Sequence, residues 1–381
     1  MTGRGEEMRL RVLHLITGLT RGGAESMLAR LLRAMDGDAF DNRVLCLGSE
    51  APLAAELRNQ GTPTLCLGLG ETPSALWRLP GFFLRGTPWQ PQVIQGWMYH
   101  GNLAAYLASR LIPGEAPLLW NIRVGIDTMA TYRPMTRALI RLGAKLSSVP
   151  DIVLYNAHMA REQHETLGYR ADRSHWIPNG FELDRFHPDP AARIQVRQEL
   201  GLRSDAPLIG QFARFHPEKN QQMFLAALAT LPPETHGLLA GQGIHPDQPT
   251  LAAAVRQLGL GGRVHFLGER TDLPRLTAAL DIAVSPSWNE GFSNALGEAL
   301  ACGVPCVATD VGDSATLVGE AGRIIPPGHT AELAEALRSL LALPIEQRSR
   351  LGELGRRRME AEFSIRSVAL EYQSLYQSLV R

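Results

Sequence analysis

Two carboxylates eight residues apart, Glu290 and Glu298, bracket the stretch N-E-G-F-S-N-A-L-G-E. Glu290 falls in a glycine turn. Glu298 falls on the helix that A-L-G-E-A-L-A predicts after it. The two need not share a face, so each can grip a different part of one ligand. A helix N-terminus gathers unpaired backbone N–H groups and the positive end of the macrodipole, which together favour a phosphate. Gly291, Phe292 and Ser293 stand where those N–H groups open. Carboxylates beside such a site suit vicinal hydroxyls, as on a ribose or a hexose. The plainer alternative for Glu298 is a solvated helix residue, and its apolar neighbours weigh against that. A pair of cations stands upstream in A-R-F-H-P-E-K-N, where Pro217 bends the chain between Arg214 and Lys219. Just past a strand they suit a pyrophosphate, Arg as a fork and Lys as a point charge. Two solvated surface charges are the alternative.

Weaker signals lie in the first half. Gly22 and Gly23, in G-L-T-R-G-G-A-E, stand at a strand-to-helix turn with Ala24–Leu32 helical after it. Glycines there let a backbone approach an anion, but a bare G-G by itself reads better as a packing turn. It is not the G-x-G-x-x-G that a nicotinamide dehydrogenase needs. His100 follows the fourth strand in G-W-M-Y-H-G-N; its residue chemistry fits a packed histidine beside Trp97 and Tyr99 as well as a reactive one. A D-x-D match at Asp36–Asp38 sits in a polar stretch away from the other motifs and reads as a solvated turn.

The elements that must hold these groups are short apolar runs alternating with helical patterns. R-V-L-H-L-I-T (11–17), N-R-V-L-C-L-G (42–48), T-P-T-L-C-L-G (62–68), Q-V-I-Q-G-W (92–97), L-L-W-N-I-R (118–123) and D-I-V-L-Y-N (151–156) are continuous rather than alternating, as strands covered on both faces are. Three prolines and a glycine without periodicity mark 177–190 as a linker. The pattern restarts at 207–213, 236–243, 263–269, 281–287, 305–311 and 322–328. The chain ends in an amphipathic helix. The fold class expected is α/β, with two Rossmann-like parallel-sheet domains. Residues 1–180 form the first, 181–362 the second, and 363–381 a C-terminal helix expected to return to the first. Open parallel sheets bind ligands beyond the carboxyl ends of their strands, and two facing domains make a cleft.

Bulk properties narrow the function. The chain has 381 residues, 45% hydrophobic and 20% charged, with zero net charge, so a nucleic-acid partner has no electrostatic support. Residues 1–175 hold 19 Lys and Arg against 15 Asp and Glu, a balance of +4; the remaining 19 against 23 give −4. No apolar run approaches the ~20 residues of a membrane span, and the first ten residues hold no signal-peptide core. A cytoplasmic protein is expected. The four cysteines form no C-x-x-C pair, which argues for free thiols in a reducing compartment and against zinc.

Together, G-G-A-E, R-F-x-x-x-K-N, I-P-N-G-F and N-E-G-F-S-N-A-L-G-E resemble the retaining glycosyltransferases of family 4, which have the two-domain GT-B fold. The match runs over nearly the whole chain. The resemblance implies that Gly22 and Gly23 contact the donor's distal phosphate, and that Arg214 and Lys219 neutralise the leaving diphosphate. It assigns Glu290 to donor-sugar hydroxyls, Glu298 to the ribose, and the amides of Gly291, Phe292 and Ser293 to phosphate. It makes His100 the active-site histidine near the sugar, and Arg123 a further residue of the cleft. The implied reaction moves a hexosyl unit from a nucleotide diphosphate sugar, most commonly a uridine one, to an acceptor hydroxyl with retention, by a front-face route and without metal. The acceptor expected is a saccharide, free or lipid-linked, in exopolysaccharide, lipopolysaccharide or glycan assembly. The alternatives are a sugar-nucleotide epimerase on a similar fold and a nucleotide-sugar binding protein without turnover.

Arg133, Arg137, Arg141 and Lys145 recur every four residues, one basic stripe with an apolar flank. W-R-L-P-G-F-F-L-R adds Trp77, Phe82 and Phe83 beside Arg78 and Arg85. Docking on the anionic inner face of the cell membrane is one reading. A solvated helix face and a loop packed on the core is the other, and the basic first half inclines the choice to the membrane.

Overall fold

The computed structural model describes residues 9–20, 22–69, 89–126, 129 and 132–380. The segment around Trp77, Phe82 and Phe83 lies outside them. The chain divides into two units, Met1–Gly180 with Ile365–Arg381, and Phe181–Ser364.

In the first unit the apolar runs become β1 (Leu10–Ile16), β2 (Phe40–Cys46), β3 (Thr64–Cys66), β4 (Val93–Trp97), β5 (Leu118–Ile122), β6 (Ile152–Tyr155) and β7 (Ser174–Trp176). They pair in parallel in the order β3-β2-β1-β4-β5-β6-β7, with register partners running from Leu10–Phe40 to Ile16–Cys46 in the β1/β2 pair. Strand β7 was not expected. Its sequence S-H-W has no apolar run, because an edge strand needs only one partner and is half-buried. The reversal of strand order beside β1 sets the switch point where such sheets hold ligands. The helix Met98–Leu111 comes down close on β1 and β4, because a β-carbon on Gly101 would press on the Leu15 carbonyl and one on Gly96 would collide with the Asn102 backbone. The C-terminal helix Ile365–Val380 belongs to this unit: Val368, Tyr372 and Tyr376 are buried with Val12, Ile16, Leu28 and Trp97 in one core.

The second unit repeats the scheme with β8 (Leu208–Phe212), β9 (His236–Ala240), β10 (Val264–Phe266), β11 (Ile282–Ser285), β12 (Cys306–Thr309) and β13 (Gly322–Ile325), all parallel, in the order β10-β9-β8-β11-β12-β13. The expected parallel sheet is present in both units. At the base of this sheet Asp281, 6% exposed, accepts from Arg197 at 2.7 Å, from Arg193 at 2.8 Å and from the Leu208 N–H at 2.8 Å. That carboxylate ties the helix Pro190–Glu199 to the sheet and compensates the buried Arg197.

The boundary between the units, Gly180 to Phe181, falls inside the linker segment 177–190, whose first part is packed. Ile177 and Phe181 are fully buried and Asn179 nearly so. Pro178 and Gly180 lie in that packed part, whereas Pro188 and Pro190 are exposed. The cysteines are all free thiols; Cys46, Cys302 and Cys306 are buried and Cys66 is half-buried. No described helix is long and apolar enough to cross a membrane.

Candidate functional site

In the second unit the loop after β8 carries Arg214 and Lys219. Pro217 opens a single turn of 3-10 helix, Pro217–Lys219, and Asn220 ends it in the left-handed conformation, φ 48°, so that the helix Gln221–Ala229 can start. Amides on either side fix the loop's carbonyls. Gln211 Nε2 donates to Lys219 O at 2.6 Å, and Gln221 Nε2 donates to Arg214 O at 3.0 Å. Neither glutamine was singled out in the sequence, and both show there only as polar residues among apolar ones. The loop delivers Lys219 Nζ to Glu290 Oε1 at 2.6 Å. Both side chains are partly buried, 21% and 13% exposed, so water screens the pair only in part. Ser287 Oγ donates to the same oxygen at 2.8 Å, and Thr309 Oγ1 holds Ser287 through its carbonyl at 2.6 Å. Arg214 is exposed, and its guanidinium has no ion-pair partner among the described residues. One cation is therefore held in place and the other is open.

The helix Asn294–Ala301 begins just beyond, with Ser293 as its N-cap and no side chain capping it. The amides of Gly291 and Ser293 donate to no group among the described residues, and the Gly291 carbonyl is fixed by the Asp313 N–H at 2.9 Å. Phe292 is buried against Phe363, ring centroids 5.5 Å apart. Glu298 is half-buried on this helix, one turn and more past its start. The arrangement offers an anion two cations and open amides, with carboxylates on either side of the helix start.

The first unit presents its sequence-predicted residues at separate strand ends. Gly22 caps the helix Gly23–Ala34 in an ordinary extended conformation, φ −108°. A β-carbon at Gly22 would meet the Glu25 carboxylate, the movable end of a flexible side chain. Burial raises the Glu25 carboxyl above its ordinary value, against a hydrogen bond from its own backbone N–H. An internal anion thus already meets this helix N-terminus, and a phosphate reaching Gly22 and Gly23 must share it.

His100 stands in the first turn of Met98–Leu111 and is exposed, so the packed-histidine alternative fails. The packed residues are its neighbours, Trp97 and Tyr99. Partial burial lowers the His100 pKa. Met98 before it holds φ 63°, a left-handed conformation that costs a non-glycine residue about 1–3 kcal/mol and is kept only where surroundings enforce it. Tyr99, next to it, is anchored in the core: its OH donates to His164 Nε2 at 2.9 Å, while His164 Nδ1–H donates to the Ala160 carbonyl at 2.6 Å. Trp97 Nε1–H likewise donates to His14 Nδ1 at 3.2 Å. Both histidines are neutral in this arrangement, and desolvation lowers each to about 4.

Arg123 follows β5 and is 9% exposed. It donates to Asn121 Oδ1 at 3.1 Å, to Tyr372 OH at 3.2 Å and to Asn179 Oδ1, and it lies 5.4 Å from the Trp97 ring. Desolvation lowers its pKa. Asn179 comes from I-P-N-G-F and also accepts from Asn156 Nδ2 at 3.1 Å, which explains why that turn is buried. The structure thus joins Lys219 to Glu290 beside the helix Asn294–Ala301, with Arg214 on the same loop as Lys219. Gly22, Gly23, His100 and Arg123 belong to the other unit. The Asp36–Asp38 pair is an exposed turn, closed by the Asp38 N–H on Asp36 Oδ1 at 2.9 Å.

Two family models match the chain. Residues 21–185 match the model described as Glycosyltransferase Family 4, and residues 206–343 match the one described as Glycosyl transferases group 1. The chain is 26% identical over 281 residues to the N-acetyl-alpha-D-glucosaminyl L-malate synthase of Bacillus anthracis, covering 73% of this chain and 72% of that protein. It is 33% identical over 218 residues to the lipopolysaccharide core biosynthesis mannosyltransferase LpsB of Rhizobium meliloti, 54% of this chain and 61% of that one. Its fold is shared with Anabaena HepE crystallised with UDP-glucose, at a TM-score of 0.83 and 22% identity over 97% of this chain and all of that one. Sucrose-phosphate synthase of Thermosynechococcus elongatus matches at 0.82 and 23%, over 97% and 99%.

Proposed function

The chain belongs to the family 4 glycosyltransferases, on the GT-B fold, and from that membership we propose that it transfers a hexosyl unit from a nucleotide diphosphate sugar to a saccharide acceptor with retention of configuration. The Lys219–Glu290 pair, at 2.6 Å beside the open helix start, carries the reading. A diphosphate arriving there competes with Glu290 for Lys219 and recruits the open Arg214. That exchange frees Glu290 oxygens for sugar hydroxyls. As the glycosidic bond breaks, negative charge grows on the leaving diphosphate. Preorganised cations and helix amides stabilise charge of that kind, each donor worth about 2.7–4 kcal/mol. Two cations already in the loop make a metal ion unnecessary to this scheme. The family resemblance assigns Glu298 to the ribose, His100 to the sugar, and Gly22 and Gly23 to the distal phosphate. Arg123 is the further residue of the first unit assigned to the site. UDP is the donor nucleotide we favour, since HepE is crystallised with UDP-glucose.

We further propose that the acceptor is used in glycan assembly at the inner face of the cell membrane. On the helix Pro134–Leu146, Met135 is 69% and Leu142 40% exposed, beside exposed Arg133, Arg141 and Lys145. Apolar side chains rimmed by cations suit an anionic bilayer surface. Co-sedimentation with phosphatidylglycerol vesicles, lost in Met135→Ser/Leu142→Ser, is the expected result. Equal binding by that double variant removes this part of the reading.

The test of the central reading is thermal stabilisation by a panel of nucleoside diphosphates and their sugars, with and without EDTA. A ligand specific to the folded state raises Tm. One base should stand out, with EDTA making no difference. Acceptor-dependent release of nucleoside diphosphate then separates transfer from epimerisation and from binding without turnover. No stabilisation by any of them, or stabilisation that EDTA abolishes, overturns the scheme.

A further inference from the structure

Three consecutive residues in the loop after β11, Trp288, Asn289 and Glu290, carry features that diphosphate binding leaves unused. Trp288 is 51% exposed, which an indole of its size seldom is without a partner. It is nevertheless held still. Its backbone N–H donates to the Glu218 carbonyl at 2.8 Å. The six-membered end of its ring lies on Gly328, φ 82°, in the loop after β13, where a β-carbon would run into it. The ring is therefore seated on one side and open on the other.

Asn289 Oδ1 is buried and accepts no hydrogen bond. A buried acceptor left alone is destabilising until a donor reaches it. Glu290 uses Oε1 for both Lys219 and Ser287, and no described residue bonds Oε2. One short stretch thus offers an aromatic face, an orphan acceptor and a spare carboxylate oxygen. The fitting ligand has an apolar face and several O–H donors around its rim. A pyranose has both, in its axial C–H groups and its equatorial hydroxyls. A phosphate has no donors to offer these acceptors, and a nucleobase has a flat face but no O–H rim.

We infer that Trp288 and Asn289 form a pyranose subsite, Trp288 as the stacking platform and Asn289 as the hydroxyl acceptor, and that they set which hexose is taken. The inference rests on the family 4 donor reading. The ring is the donor's hexosyl group or the acceptor's first sugar; both present the same chemistry to these residues.

The experiment uses the full chain and the variants Trp288→Ala, Trp288→Phe, Asn289→Ala and Asn289→Asp. Thermal stabilisation by the best nucleoside diphosphate of a UDP, GDP and ADP panel reports the phosphate site and the fold together. KM for hydrolysis of its glucose, galactose and mannose derivatives reports the donor ring. KM for free monosaccharides as acceptors reports the other. Both alanine variants should keep the diphosphate shift and raise one of the two KM values about tenfold. Phe and Asp should recover part of the loss, and kcat should change less than KM. A rise in donor KM places the ring on the donor; a rise in saccharide KM alone places it on the acceptor. Unchanged KM values in both alanine variants, with the diphosphate shift intact, overturn the inference and leave the donor reading standing. A wild type that no nucleoside diphosphate stabilises overturns the donor reading, and the inference with it.

Discussion

The loops after β8 and β11 in the second unit and the core of the first hold their polar groups in opposite ways. In the second, half-open side chains meet across loops: Lys219 finds Glu290 at 2.6 Å, and Arg214 waits beside them. In the first, the polar groups are sunk into the core and bonded to neutral partners. His14 faces Trp97 and Asn42, His164 faces Tyr99, and Arg123 faces Asn121, Asn179 and Tyr372. A site made of half-open pairs can lose a charge and keep its fold. A site made of core-bonded groups cannot be separated from the packing around it.

The comparison breaks most sharply with acid. His14 and His164 have folded pKa values lowered from 6.5 to about 4 by burial. Between those values the unfolded chain binds protons that the folded one refuses. Their stabilising contribution is therefore present above pH 6.5 and is lost as the pH falls towards 4, by roughly 3 kcal/mol for each at most. Hydrogen exchange at pH 5 against pH 7 should show the first unit opening well ahead of the second. Simultaneous opening would mean the buried histidines do not set the difference.

Next in size, Lys219→Ala should lower turnover by about 10²–10³, or roughly 2.7–4 kcal/mol, while Tm stays near the wild type. Initial rates and calorimetry on the same preparation check both halves. A large fall in Tm would make the pair structural, like its counterparts in the first unit. Arg123→Ala should do the reverse, costing about 2–3 kcal/mol of stability because Asn121, Asn179 and the Tyr372 hydroxyl lose their partner in a buried place. Urea denaturation measures it, and an unchanged midpoint would move Arg123 out of the core class. Smallest, Glu298→Ala should weaken donor binding about tenfold, near 1.4 kcal/mol, without touching either core. Isothermal calorimetry with nucleoside diphosphate and nucleotide sugar decides it; unchanged affinity would remove Glu298 from the site.

The same contrast explains what was readable beforehand. Strands covered on both faces announce themselves as apolar runs, so R-V-L-H-L-I-T and D-I-A-V-S-P-S marked β1 and β11 closely, whereas the edge strand S-H-W did not. Residues 177–190 read as a linker, and the boundary between the units falls there; the packing of Ile177–Phe181 is not legible, because packed and free turns use the same prolines and glycines, and only burial separates them. The Glu290 loop and its helix lie on one continuous stretch, so their chemistry could be read from spacing alone. Arg123 and Tyr372 lie 249 positions apart and meet only through the fold. No local pattern joins them. His100 was undecided for a related reason: W-M-Y-H holds several bulky rings, and the helix start, not the composition, determines which of them points outward. Asn289 shows no signal at all in one sequence, since an orphan acceptor is defined by what fails to surround it.

The first unit is discontinuous, with its last helix, Ile365–Val380, supplied by the end of the chain. On a ribosome the strands of that sheet emerge first and must stay incomplete while the whole of the second unit is made. Phe181–Ser364 is continuous and can close as soon as it is out. Synthesis order and folding order are thus inverted, domains being the units that fold. The earliest-made core, around Val12 and Trp97, is sealed last by Tyr372 and Tyr376. Removing the helix Ile365–Val380 would accordingly wound the earliest-made core, around Val12 and Trp97, rather than the segment that precedes it.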